Sequence, residues 1–538
     1  MDETKTRGRA LVRQGSLLSL LTLISRILGL LREMTKAALL GTSALSDAFS
    51  VAFMIPNLFR RLFAEGSIAV AFIPTFKEYL LGDKTKSGER DLRDNKDSAR
   101  EFLSCFFTFL TFFVTLTVMA GILVTPLVIP LFGIEDFDET VFLTRLMFPF
   151  LAFISLAALF QGILNSLRVF APSGFAPILL NIATILCAYG LSGYTKNPAR
   201  AMALGILTGG FLEAAIQLPF VLKKKQYFFF TGLKRAINNP GTKKVLRLIG
   251  PTIIGMAAYQ INDLVSTALA GNAGEGVVSS LQYSLRLQEL ILGIFAVSIG
   301  TVLLPDLAEY AKSGRWDIYN DRLVSAMNII ALITVPITFF SMSRGENLIR
   351  LLFEAKSFDK ESVRLTLSAF SFHMPGLYFI ALNRILAPAF YAQSDSKSPT
   401  LAGLLSFAVN IALAALLSGP FKGAGIAFAL SAASAVNTVF LLVFLRKNPC
   451  IDVARALKSA IGYTLKLTVF SAAAAAPVLF LGPRLDAFFD GKSRIASQGL
   501  PLLLTGLLFG ITGALLLALT GDKQFRSILK LFSRKPAR

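Results

Sequence analysis

Apolar runs of about 20 residues recur from Ser16 to Thr520 with only short polar segments between them. As helices they are long enough to cross a hydrocarbon core about 30 Å thick. A backbone inside lipid has no water to bond, so each run must satisfy its own amides and carbonyls, which a helix does. The runs predict fourteen helices, over residues 16–40, 45–80, 101–130, 141–168, 173–194, 201–222, 245–270, 276–310, 322–343, 364–393, 399–418, 423–446, 456–482 and 497–520. The expected fold class is an all-α polytopic membrane protein with few or no soluble domains. The basic start before Leu17 resembles a signal peptide, but Arg26, Arg32 and Glu33 interrupt the apolar run and no small-residue cleavage site follows, so it is read as the first helix.

The formal net charge of +21 raises the question of a nucleic-acid partner. The positive residues, however, fall in alternate loops. With the N-terminus inside, one face receives Lys5 to Arg13, Lys77 to Arg100, Lys223 to Arg247, Arg446 to Lys458 and Lys523 to Arg538. The other face has mixed or acidic loops, such as Glu135 to Glu139 and Asn272 to Glu275. That asymmetry is the positive-inside rule, with both termini cytoplasmic, and it accounts for the charge without nucleic acid. Cys105, Cys187 and Cys450 are far apart in or beside spans, which argues against a disulfide framework or a metal site.

The chain carries an internal echo. Ser67-Ile68, Pro74 and Glu78-Tyr79 return as Ser298-Ile299, Pro305 and Glu309-Tyr310, and Leu131-Phe132 with Phe137-Asp138 return as Leu352-Phe353 with Phe358-Asp359. Both echoes are six helices apart, so the halves keep the same orientation and form a parallel repeat. The expected organisation is a cytoplasmic N-terminus (1–15), a six-helix lobe (16–222), a basic linker (223–244), a second six-helix lobe (245–447), two further helices (448–520) and a basic tail (521–538).

Charged side chains at membrane depth cost at least about 2.5 kcal/mol each, so they face a bundle interior or an aqueous cavity. The first span holds Arg26, Arg32 and Glu33, with Ser25 on a face shared with Arg32. The second holds Asp47, Arg60, Arg61 and Glu65; the eighth holds Arg286 and Glu289; the tenth holds Arg384. Individually these can be snorkelling or structural ion pairs. Together, Arg26, Arg32, Arg60 and Arg286 lie on helices that open the two lobes, and guanidinium groups bind phosphate bidentately while keeping their charge. The pattern favours a phosphate- or diphosphate-bearing substrate over a cation, which would want carboxylates. His373 has no apparent metal or triad partners and reads as a core residue, with proton coupling as the lesser alternative. There is no G-x-x-x-x-G-K-[ST] phosphate loop, so transport would draw on an ion gradient or the membrane potential, without a cofactor.

At Ser25-Arg26-Ile27-Leu28-Gly29-Leu30-Leu31-Arg32-Glu33, Ser46-Asp47-Ala48-Phe49 and Pro56-Asn57-Leu58-Phe59-Arg60-Arg61-Leu62-Phe63-Ala64-Glu65-Gly66, the sequence closely resembles the MurJ (MviN) lipid II flippase family. Phe72-Ile73-Pro74, Tyr283 to Leu287, Gly300 to Pro305 and Leu386 to Tyr391 extend the resemblance over essentially the whole chain. It implies a MATE-like fold of the multidrug/oligosaccharidyl-lipid/polysaccharide exporter superfamily, two lobes around a cationic cavity, and a groove for the polyprenyl tail on the last two helices. It further implies that Arg26, Arg32, Arg60 and Arg286 engage the diphosphate and headgroup, that Asp47 and Glu65 serve the conformational cycle, and that the membrane is the bacterial inner membrane. Where this family commonly has aspartate, the chain has Glu33. The expected activity is alternating-access flipping of lipid II for cell-wall synthesis, by a monomer in contact with membrane lipids and the cell-wall machinery, with no bond-making chemistry. The alternatives are a flippase for another polyprenyl-diphosphate oligosaccharide, a MATE-type exporter, and a non-transporting scaffold.

Overall fold

The computed structural model describes residues 2–62, 67–81 and 92–526. Its helices, in chain order, are α1 (Asp2–Leu40), α2 (Ala44–Arg60), α3 (Ser67–Leu81), α4 (Leu92–Val128), α5 (Phe137–Met147), α6 (Phe150–Ser166), α7 (Ala171–Leu191), α8 (Pro198–Lys223), α9 (Leu233–Asn238), α10 (Pro240–Asn272), α11 (Val277–Lys312), α12 (Trp316–Phe353), α13 (Lys360–Tyr391), α14 (Lys397–Leu445), α15 (Val453–Phe489) and α16 (Leu500–Leu519). No strand occurs among the described residues. Among them, nine helical segments are long and apolar enough to cross a membrane, and α14, with 49 residues, covers two of the predicted spans.

The differences from the predicted spans have local causes. The second span, read as one helix, is described as α2 and α3; residues 63–66, including Glu65, lie outside the described residues, as does the tail beyond residue 526. The fourth span begins earlier, where the Asp136 carboxylate accepts the Glu139 amide and caps α5. It breaks before α6 at Pro149, which has no amide to continue the helix ladder. Within α14 the chain turns at Lys422 (φ +48°, ψ −130°), between Pro420 and Gly423, separating the eleventh and twelfth spans. Side-chain caps set other helix starts: Ser43 for α2, Asn197 for α8, Asn239 for α10 and Asp359 for α13.

Packing divides the chain into two compact units, Met1–Glu275 and Gly276–Arg538. In the first, α7 and α8 pack along their lengths. Gly205 and Gly209 on α8, four residues apart, lie so close to Thr184 and Leu180 on α7 that a methyl would meet backbone at 2.6 and 2.7 Å. The Phe72 ring stacks on Phe76 and on Phe102, joining α3 to α4. α10, which the repeat assigns to the second lobe, packs on α3 and α4 in this first unit. There the Asn272 amide donates to the Leu131 carbonyl (3.2 Å), and Gly271 leaves no room for a side chain against Phe132. The packing boundary therefore lies one helix beyond the linker at 223–244.

In the second unit α13 packs between α11 and α14, and α12 packs on α15, which packs on α16. Arg344 is buried at a kink in α12, where its guanidinium makes a two-pronged bond to Asp486 at the end of α15 (2.6 and 3.0 Å). His373 is buried on α13, its Nδ1 2.6 Å from the Ser284 hydroxyl of α11, which makes it a satisfied core residue.

Candidate functional site

The short turn at residues 41–43 folds α2 back beside α1 and brings their polar faces together. On α1, the Arg32 guanidinium pairs with the adjacent Glu33 at 2.9 Å and lies 5.9 Å from the centre of the Phe53 ring on α2. One turn further on, Lys36 is buried and donates to the Ser50 hydroxyl of α2 at 2.5 Å. The Ser50 hydroxyl in turn donates a hydrogen bond to the Ser46 carbonyl at 2.6 Å. Asp47 is buried in the first turn of α2, where the free amides of a helix start favour a carboxylate, and both it and Glu33 attract Lys36. Two cations and two anions, Arg32, Glu33, Lys36 and Asp47, thus form one group between the helices.

Lys36 is absent from the sequence-derived set. The signal for it was present, since it stands three residues past Glu33 and four past Arg32 and so shares their side of the helix. Its place near the end of the first span makes it look like an ordinary interfacial lysine, which hid the burial.

The remaining predicted residues are arranged differently. Arg26 is exposed on α1 and makes no ion pair among the described residues. Ser25 beside it is half-buried, and its carbonyl accepts from Asn181 on α7 at 3.3 Å. Arg60, at the end of α2, is half-buried and bonds through Nε to Asn57 Oδ1 at 2.7 Å. Arg61 faces Asp263 of α10 at 3.7 Å, a partner the sequence did not suggest. Arg286 belongs to the second unit, on α11. Its nearest carboxylate is Glu289 at 3.5 Å, and its Nε is buried without a hydrogen-bond partner. Arg384 is exposed on α13 and, like Arg26, makes no ion pair among the described residues.

Beside Asp47, at the end of the first unit where α2 begins and α10 ends, lies a cavity of about 190 Å³ lined by Asp47, Glu135, Asn272 and Glu275. The Glu275 carboxylate accepts the free Ala44 amide at 2.8 Å, supplementing the cap at the start of α2. Among the described residues, then, Arg26 makes no ion pair, and Arg286 keeps one buried guanidinium nitrogen without an acceptor.

A family model described as "Lipid II flippase MurJ" matches residues 36–489. A Treponema pallidum (strain Nichols) protein named "Probable lipid II flippase MurJ" is 45% identical over 523 residues, covering 96% of this chain and 98% of that protein. The "Lipid II flippase MurJ" of Burkholderia cenocepacia is 32% identical, covering 79% and 82%. Among solved structures, "Lipid II flippase MurJ, inward closed conformation" superposes with a TM-score of 0.74 at 24% identity, covering 93% of this chain and 99% of that one. An inward-facing multidrug resistance MATE family transporter of the MOP superfamily superposes with a TM-score of 0.65 at 12% identity, covering 81% and 96%. These two share the fold.

Proposed function

The chain belongs to the MurJ family of lipid II flippases, and on that premise we propose that it moves lipid II across the bacterial cytoplasmic membrane for peptidoglycan synthesis. The single observation that carries the chemistry is Arg26. An exposed guanidinium without an ion pair among the described residues, part-way along the helix that the sequence reads as the first span, is costly against acyl chains and suits a wet chamber that receives a diphosphate. Arg32, Arg60 and Arg286 would complete the binding set, with Ser25 beside Arg26. Glu33 and Glu289 would moderate their arginine neighbours. Asp47, with Glu65, would take part in the conformational cycle.

In this reading the arginines capture the diphosphate from the cytoplasmic side, the polyprenyl tail stays in lipid along α15 and α16, and a rearrangement of the lobes exposes the headgroup outside. No covalent bond is made or broken. The driving force would be an ion gradient or the membrane potential, worth about 2.3 kcal/mol per charge per 100 mV, which is substantial for a diphosphate. The protein would act as a monomer in the inner membrane, with both termini cytoplasmic, feeding the cell-wall machinery.

The test is the accessibility of lipid II headgroups at the outer surface of cells depleted of the native copy. A plasmid-borne wild-type chain should restore external lipid II and growth. Arg26→Ala, expressed to the same level, should leave lipid II inside and fail to support growth. Normal growth of the Arg26→Ala cells would overturn the site. Loss of only a surface polysaccharide on depletion, with lipid II still reaching the outer surface, would overturn the substrate.

A further inference from the structure

α8 ends where Lys225 adopts a left-handed conformation (φ +56°), with the Lys225 and Gln226 amides returning to the carbonyls of Leu222 and Val221 at 2.8 and 3.3 Å. Residues 226–232 then run extended beside α4. The Phe229 amide donates to the Ser104 hydroxyl (3.3 Å) and the Thr231 amide to the Thr108 hydroxyl (2.9 Å). The Arg100 guanidinium lies 5.8 Å from the ring of Tyr227 and 5.5 Å from that of Phe229. The order is the same on both strands of contact, and the register is commensurate. Two extended residues advance about 6.6 Å, and the four helical residues from Ser104 to Thr108 about 6 Å. The segment therefore follows α4 from the level of Arg100 towards the membrane interior for about 12 Å. It then returns, because Arg235 on α9 is back at Glu101, at 2.6 Å.

The strap is packed on α4 yet leaves much ring surface open. Phe228 meets Phe107 and Phe160, with ring centres 4.5 and 5.8 Å apart, and Phe230 meets Phe107 at 5.0 Å. Tyr227 and Phe229 are 48% exposed and Phe230 is 68% exposed. Immediately before the strap stand Lys223, Lys224 and Lys225, exposed and without an ion pair among the described residues. Residues 223–247 contain eight basic side chains and no acidic one. Partly exposed rings at the deepest point of a dip beside a spanning helix, with exposed lysines at its rim, match the two layers of an anionic bilayer surface: apolar boundary below, negative headgroups above.

We propose that residues 223–231 form an interfacial anchor for anionic phospholipids, in which Lys223, Lys224 and Lys225 bind headgroups and Phe229 and Phe230 enter the acyl boundary. That the leaflet is the cytoplasmic one rests on the orientation proposed above; the anchor itself does not depend on the transported substrate.

The test uses the full chain carrying Phe230→Trp with Trp316→Phe, so that the only indole sits on the strap. It is reconstituted in bilayers of mixed phosphatidylcholine and phosphatidylglycerol, with brominated acyl chains on one lipid or the other. Circular dichroism first establishes that the helix content matches the unsubstituted chain. Bromine should quench the indole, at least about twofold more strongly when carried by phosphatidylglycerol than by phosphatidylcholine at equal total content. Lys223→Gln, Lys224→Gln and Lys225→Gln together should abolish the difference and leave the quenching. Absence of quenching would overturn the anchor and favour a protein partner over the rings, and equal quenching by the two lipids before the lysine substitutions would overturn the anionic specificity.

Discussion

Lys36 is the residue whose placement most changes how the α1–α2 charges are understood. Buried between the helices, it donates to Ser50 and is attracted by Glu33 and Asp47, so it supplies the cation that lets two carboxylates remain at this depth. Removing one cation from a buried charged group weakens the compensation of its carboxylates, at a cost of up to about 3 kcal/mol. Lys36→Met, which keeps the length and loses the charge, should lower the thermal stability of the detergent-purified chain by about that amount and fail to support growth. Lys36→Arg should retain more of both. A Lys36→Met chain with an unchanged melting temperature would show that the charges on α1 and α2 are not coupled through the lysine. The arginines themselves were legible in the sequence because an ionised residue in an apolar run is conspicuous. The partners were not, since a pairing such as Arg61 with Asp263 joins positions with no periodic relation. Burial of a lysine near a span end leaves no mark in composition either.

Among the elements, α15 and α16 are held together at one end by a polar knot that hydropathy could not reveal. Asp522, buried just past α16, accepts from Lys466 of α15 at 2.6 Å, from the Tyr463 hydroxyl at 2.9 Å and from the Phe525 amide at 3.0 Å. Burial works against the ionised carboxyl. The Lys466 ammonium, the Phe525 amide and the Tyr463 hydroxyl outweigh it and hold Asp522 below the usual carboxylate range. An unfolded aspartate titrates near about pH 3.9. The stabilisation is therefore complete above that value and is lost as the pH falls through the lower, folded one. The difference in melting temperature between the native chain and Asp522→Asn should be constant from neutral pH down to about 5 and shrink below about 4. A difference that stayed constant through the acid range would mean the carboxylate charge contributes nothing to the knot. The helices themselves were readable from 20-residue apolar runs, and their breaks at Pro149 and at the turn beside Pro420 have local chemical causes. The side of the packing boundary on which α10 falls depends on contacts such as Asn272 with Leu131, which lie far apart in the chain.

For the whole molecule, the decisive property is which face of the membrane each loop meets, because the same helices inserted upside down would present the arginines and the basic strap to the wrong leaflet. In the proposed orientation, residues 446–455, with Arg446, Lys447 and Arg455, would face the cytoplasm. That loop holds Cys450, which is exposed, whereas Cys105 is buried under the strap and Cys187 is half-buried on α7. The chain thus carries one readily reachable thiol among its three, on a loop whose side is the point at issue. A membrane-impermeant maleimide applied to intact spheroplasts should leave the protein unlabelled. The same reagent on inside-out vesicles should add one label per chain, lost on Cys450→Ser. Labelling of intact spheroplasts at Cys450 would invert the orientation. The basic segment at 223–247 would then face outward, where it could not meet the cytoplasmic leaflet, and capture of substrate from the inner side would have to begin at the opposite ends of α1 and α11.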